Sequence, residues 1–369
     1  MDCPCGKELC NNKTVQENVP LSPLTTFGVG GPARFFVRAT TESELFDAIH
    51  FAGERQLPLL PLGGGSNLVI SDDGFPGVVV AIAMQGITAV EGTGGAMRVT
   101  AGAGEDWDAF VQQTTEQGWA GIECLAGIPG TVGATPVQNV GAYGQEVSET
   151  IESVRAYDRR EQRISDLPAA ECAFGYRRSR FNTDEPGRWI ILAVTFLLRP
   201  GAPPTLKYAD LARHFPPGSH QTLTDIYHAV RAVRAAKGMV IDPADPDSRS
   251  AGSFFKNPTL NGAQFAELSD IAPEIPHYPQ ADSTVKVPAA WLIEQAGFRK
   301  GQEFGHVALS SKHILALTNR GSASSGEIVA AAREIQRGVQ SRWHVSLTPE
   351  PLFIGFPENS CLPEGAIRG

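Results

Sequence analysis

The chain has no basic stripe and no surplus of positive charge: 31 lysines and arginines stand against 40 aspartates and glutamates, a formal net charge of −9 over 369 residues. A surface that binds nucleic acid must neutralise a phosphate backbone, so DNA and RNA are not expected partners. No apolar run approaches membrane-spanning length, and the opening MDCPCGKELCNN lacks the apolar core that a signal peptide needs. The expectation is a cytoplasmic protein without membrane contact. Cys3, Cys5 and Cys10 crowd the start of the chain, yet no nearby histidine or fourth cysteine completes a tetrahedral metal set. No metal is therefore expected. These three, with Cys124, Cys172 and Cys361, are expected to be thiols, and residues 1–19 a flexible leader.

Both common phosphate loops are missing as well. A Walker loop needs Gly-Lys followed by Ser or Thr, and a dinucleotide Rossmann turn opens a helix after G-x-G-x-x-G; neither condition is met. What the chain has instead is two glycine clusters of another kind. The stretch GIECLAGIPGTVGATPVQNVGAYGQE, residues 121–146, spaces its glycines too closely for a helix stripe and too irregularly for a strand. Glycine at this density lets backbone approach a ligand and adopt positive φ, while Thr131, Gln138 and Asn139 add hydrogen-bonding groups. It reads either as tight turns in a β-rich domain or as a cradle for a phosphorylated cofactor. The second cluster, Gly63-Gly64-Gly65-Ser66-Asn67 between the apolar runs Leu59–Leu62 and Leu68–Ile70, favours the cradle.

The rest of the chain mixes helix and strand. Apolar residues at helical spacing predict helices over 43–56, 105–117, 222–236 and 324–343, the last opened by the capping box Ser324-x-x-Glu327. Strands are predicted over 78–82 and 98–101, in a hairpin over 151–167, and over 189–198. This order predicts an α+β fold, and the length suffices for two or three packed subdomains. A Pro/Asp-rich connector at 241–249 marks a boundary.

Three short segments carry candidate chemistry. Phe174-Gly175-Tyr176-Arg177-Arg178-Ser179 is a surface arginine pair or a site arginine. Ala251 to Pro258 (AGSFFKNP) is a strand entering a turn or a small-hydroxyl-basic cluster. Glu350, held between Pro349 and Pro351, cannot lie inside a helix and is either an exposed turn carboxylate or a cleft residue.

These segments also fall in a recognisable order from about Thr25 to Gly355. Thr26-Phe27-Gly28, Gly63 to Asn67, Ile128-Pro129-Gly130, Gln138 to Gly144, Phe174 to Arg177, Gly252 to Pro258 and Pro349-Glu350-Pro351 together resemble the UDP-N-acetylenolpyruvoylglucosamine reductase family. The resemblance implies an α+β chain with a two-domain FAD-binding unit of the vanillyl-alcohol oxidase-like type and a C-terminal α+β substrate-binding domain. Their expected spans are 20–85, 86–237 and 238–369. It further implies a monomer that uses FAD and NADPH to reduce UDP-N-acetylglucosamine enolpyruvate to UDP-N-acetylmuramate in peptidoglycan precursor synthesis. Hydride would pass through FAD N5 to the enolpyruvyl methylene carbon.

By motif match, Gly63, Gly64, Gly65, Ser66, Asn67, Ile128, Pro129, Gly130, Thr131 and Gly133 would hold the FAD diphosphate. Gln138, Asn139, Gly141, Ala142 and Tyr143 would complete the cofactor site. Arg177 would stabilise the enolate, Ser253 would protonate the carbon beside the new C–H bond, and Glu350 would assist Arg177. Tyr208, Lys237 and Asn257 would bind the UDP portion, with Tyr208 on a loop that covers the substrate. Either Gln302 or Glu303 would also face the substrate. Two competing readings are an oxidase of the same fold and a sugar-nucleotide sensor without catalysis. The oxidases lack the Ser253 and Glu350 motifs, and a sensor has no use for a proton donor.

Overall fold

Leu45, Ala48, Phe51 and Ala52 recur at helical spacing and are buried in the helix Glu42–Glu54, whose first turn is closed by a Thr41–Glu44 capping box. The computed structural model that contains it describes residues 15–369 apart from 208, 217, 218 and 281. Cys3, Cys5, Cys10 and Tyr208 lie outside the described residues. The other three expected helices form over Trp107–Glu116, Leu223–Ala236 and Ser325–Trp343. Among the described residues no helix is long and apolar enough to cross a membrane.

Residues 15–19, expected to belong to the flexible leader, instead form the edge strand Val15–Pro20, antiparallel to Pro32–Ala39. An edge strand facing solvent carries little hydrophobic alternation, which is why Gln16, Glu17 and Asn18 disguise it. The first sheet then runs Val15–Pro20, Pro32–Ala39, Phe75–Ile82, Leu59–Leu62, with the last two pairings parallel. A second, antiparallel sheet orders Arg163–Pro168, Ile151–Asp158, Trp189–Pro200, Met97–Gly102 and Ile87–Glu91. Trp107, Phe110 and Phe196 pack together between that sheet and the helix Trp107–Glu116.

Leu59–Leu62 and Leu68–Ile70, adjacent in sequence, belong to different sheets. Leu68–Ile70 pairs in parallel with Leu352–Ile354, which pairs in turn with Ile367–Arg368. The last strands of the chain therefore join the first domain, and the loop Gly63–Asn67 bridges two sheets. Residues 251–347 build a separate core around Phe254, Phe255, Leu292, Ile328 and Ile335. Phe27, Val29 and Val69 from the N-terminal part also enter that core. Asp72 locks the contact by accepting from the N–H groups of Ser325 and Gly326 at the start of the helix Ser325–Trp343.

Candidate functional site

The two glycine clusters meet backbone to backbone. A Cβ on Gly64 would stand 2.6 Å from the Cα of Gly130, and one on Gly65, whose φ is +62°, would stand 1.9 Å from the carbonyl oxygen of Leu24. No side chain fits at either place. Among the described residues, none accepts a hydrogen bond from the N–H groups of Gly64, Gly65 or Ser66. Those donors line a cavity of about 410 Å³ together with Gly63, Asn67, Ile128, Pro129, Gly130, Thr131, Gly133, Gln138 and Gly141. Free backbone donors on a glycine cradle match the oxygens of a diphosphate, so the residues present fit the FAD that the sequence leads one to expect.

Arg177, Ser253 and Glu350 line the same cavity. Main-chain pairing brings the last two together: Glu350 N donates to Phe254 O at 2.8 Å and Lys256 N to Thr348 O at 2.9 Å. Asn67 ties this pair of segments to the cradle, its Nδ2 donating to Gln138 Oε1 at 3.0 Å and to Glu350 O at 3.2 Å. Arg177 sits at the tip of a tight turn closed by reciprocal Gly175 and Arg178 hydrogen bonds, in the left-handed region at φ 53°. That turn separates the two arginines. Arg178 points outward to Asp184 at 2.9 Å, whereas Arg177 reaches inward to Gly141 O at 3.2 Å.

Arg177 Nε lies 2.9 Å from Glu350 Oε1, with side-chain exposures of 23% and 12%. Its hydrogen is not aimed at that oxygen, so a buried donor is left with a charge contact and no directed hydrogen bond. A buried N–H in that condition is suited to an acceptor on a ligand. Beside it, the Tyr176 ring stands between the Arg177 guanidinium at 5.6 Å and the Lys286 ammonium at 4.8 Å.

Ser253 Oγ is 3.3 Å from His313 Nε2. Burial, then Lys237, Lys300 and Arg234, hold the His313 imidazole down to about 4, so it is neutral at physiological pH. Lys237 Nζ lies 5.9 Å from the Tyr143 ring.

Not every expected residue reaches the cavity wall. Asn139 is buried with its side chain committed to Glu146, Gly175 O and Ser148 N, so it braces the turn that carries Arg177. Asn257 Oδ1 accepts from Ala289 N at 3.0 Å. Ala142, Tyr143, Lys237 and Asn257 lie outside the cavity lining, as do Gln302, which accepts from Arg299 N, and Glu303, which is exposed. Lys256, by contrast, is on the wall.

Two residues passed over in the sequence stand out. Arg234 is buried on the wall, donates to Gly127 O and Met239 O, and has its pKa lowered to about 10, chiefly by burial. Its signal was present: Ile226, Val230 and Arg234 fall at i, i+4, i+8 on the inward helix face. His313 had no such signal, because its contact to Ser253 spans 60 positions.

Residues 33–164 match the FAD binding domain family, and residues 243–354 match the UDP-N-acetylenolpyruvoylglucosamine reductase C-terminal domain family. The chain is 45% identical to the UDP-N-acetylenolpyruvoylglucosamine reductase of Thermobifida fusca, covering 92% of this chain and 97% of that one. It is 48% identical to the Streptomyces coelicolor reductase of the same name, covering 92% and 91%. The crystal structure of the Thermus caldophilus reductase superposes with a TM-score of 0.62 at 26% identity, over 91% of this chain and 98% of that one.

Proposed function

This chain belongs to the UDP-N-acetylenolpyruvoylglucosamine reductase family, and from that premise we propose that it reduces UDP-N-acetylglucosamine enolpyruvate to UDP-N-acetylmuramate with NADPH. It would act as a cytoplasmic monomer, supplying a peptidoglycan precursor. FAD, when bound, carries reducing equivalents from NADPH to the methylene carbon of the enolpyruvyl ether. The cradle of Gly63–Asn67 with Ile128–Thr131 and Gly133 holds its diphosphate, and Gln138 and Gly141 continue the wall.

The observation that carries this reading is the convergence of Arg177, Ser253 and Glu350, from three distant segments, on one glycine-lined cavity. Reduction at the methylene carbon places negative charge on the neighbouring carbon and its carboxylate. Arg177 offers a fixed cation and an uncommitted buried donor to that charge. Glu350, at 2.9 Å, fixes the guanidinium in place. Ser253 gives its hydroxyl proton to the carbanionic carbon. Lys237, Asn257 and Tyr208 would bind the UDP portion beyond that wall, a role that rests on their match to the family motifs.

Anaerobic absorbance spectra test the reading. Purified protein should show a bound-flavin spectrum that NADPH bleaches and the enolpyruvyl nucleotide restores. Restoration by oxygen alone, with the nucleotide inert, would instead make the chain an oxidase.

A further inference from the structure

We propose that His313 is a positioning residue for Ser253: the neutral imidazole donates its Nε2–H to Ser253 Oγ and stabilises the oxygen once the serine has given up its proton. This rests on the assignment of Ser253 as proton donor and extends it by one residue.

The geometry fixes the pair from both sides. Phe254 N donates to Leu315 O at 2.7 Å, which sets the backbone after Ser253 against that after His313. His313 is held in its own turn, its N–H donating to Ser310 Oγ at 3.1 Å and its carbonyl accepting from Ala316 N at 3.0 Å. The charges facing the imidazole are Lys237 and Arg234 from the end of the helix Leu223–Ala236, and Lys300 from the loop before residue 303. The carboxylates near this turn are engaged elsewhere: Asp245 by Lys312 at 2.7 Å, and Asp247 by Ser311 at 2.5 Å and Arg320 at 2.8 Å. The ring therefore has cations around it and stays neutral.

The chemistry selects the tautomer. A serine whose hydrogen is committed to a substrate carbon has only lone pairs to offer its second neighbour, so Nε2 must carry the proton. In the step, the Ser253 O–H bond breaks, a C–H bond forms at the carbanionic carbon, and the bonding pair stays on Oγ. That alkoxide accepts the Nε2–H hydrogen bond within the field of Lys237, Lys300 and Arg234. It recovers a proton from water after product departs, and the imidazole remains neutral throughout.

Two measurements test this. Long-range ¹H–¹⁵N spectra of the labelled, FAD-loaded protein with the enolpyruvyl nucleotide bound and no NADPH, at pH 7 and assigned by the loss of one signal in His313→Gln, should show His313 as the Nε2–H tautomer, shifted by Ser253→Ala. In anaerobic stopped-flow with FAD-loaded protein, His313→Leu should slow reoxidation by the enolpyruvyl nucleotide by ~10- to 10²-fold. Flavin reduction by NADPH should stay within about twofold of wild type. His313→Gln, which keeps an N–H donor, should recover most of the lost rate.

An Nδ1–H tautomer, wild-type reoxidation in His313→Leu, or equal damage from Leu and Gln would each overturn the proposal. If His313→Leu does not fold, the tautomer and the Gln variant decide. Unimpaired reoxidation in Ser253→Ala would overturn the serine assignment and this inference together, whereas an impaired Ser253→Ala with a normal His313→Leu would sink this inference alone.

Discussion

Arg177 combines a strained backbone with an incompletely satisfied side chain. A non-glycine residue in the left-handed region costs on the order of 1 kcal/mol, and such strain concentrates at working sites. Arg177→Gly should therefore lower Tm by no more than a degree or two despite losing the Glu350 contact, while reoxidation of the reduced flavin by substrate falls by at least ~10²-fold. A large drop in Tm would mean that the arginine serves stability. Arg177→Lys keeps the charge but loses the planar fork, so reoxidation should still be slower by ~10-fold or more. At this scale the short motifs singled out Ser253 and Glu350, and both side chains line the glycine-walled cavity. Which arginine of the pair turns inward is set by one turn. The bracing role of Asn139 comes from partners on both sides of it in the chain, which local pattern does not reveal.

The elements that position the site are held by contacts between distant segments. Asp72 accepts from Ser325 N at 2.9 Å and from Ser325 Oγ at 2.8 Å, capping a 19-residue helix from another part of the chain. Asp72→Ala should cost about 1 kcal/mol, the usual worth of an N-cap, measured by urea unfolding. An unchanged midpoint would contradict it. Gly64→Ala forces the two glycine loops apart, since the new Cβ would meet the Gly130 Cα at 2.6 Å. FAD affinity, followed by quenching of flavin fluorescence, should fall by at least ~10-fold, a backbone shift of this kind being worth more than 1 kcal/mol. Helices were legible because their apolar period is a local property. Strand partners were not: nothing in Leu59–Leu62 or Leu68–Ile70 tells that the first pairs with Phe75–Ile82 and the second with a strand near the end of the chain.

For the whole molecule, stability should decline in acid in two stages. His313 is held at about 4, below its ordinary 6.5, so the unfolded chain binds that proton first. Its contribution is complete above pH 6.5 and is lost as pH falls towards 4. Three carboxylates follow, all held down to about 2: Asp158 by its hydrogen bonds from Arg188, Glu185 by Arg180, and Glu327 by the Ser324 backbone N–H. Their contributions are present above the ordinary carboxylate range and are lost as pH falls towards 2. Urea midpoints against pH should show His313→Gln flattening the slope between 6.5 and 4 while leaving the lower stage intact; an unaltered upper slope would contradict the burial of that ring. The α+β architecture and the FAD-binding and reductase portions were visible in the order of motifs. The return of Leu352–Ile354 to the first domain was not, and it is this return that carries Glu350 to the cradle.

The most direct measurement is a double-mixing stopped-flow comparison of FAD-loaded wild type and Ser253→Ala. NADPH should bleach both at similar rates, and subsequent UDP-N-acetylglucosamine enolpyruvate should restore the flavin absorbance of the variant ~10²- to 10⁴-fold more slowly. Equal restoration in the two proteins, or equal slowing of both phases, would contradict the placement of this serine as the proton donor.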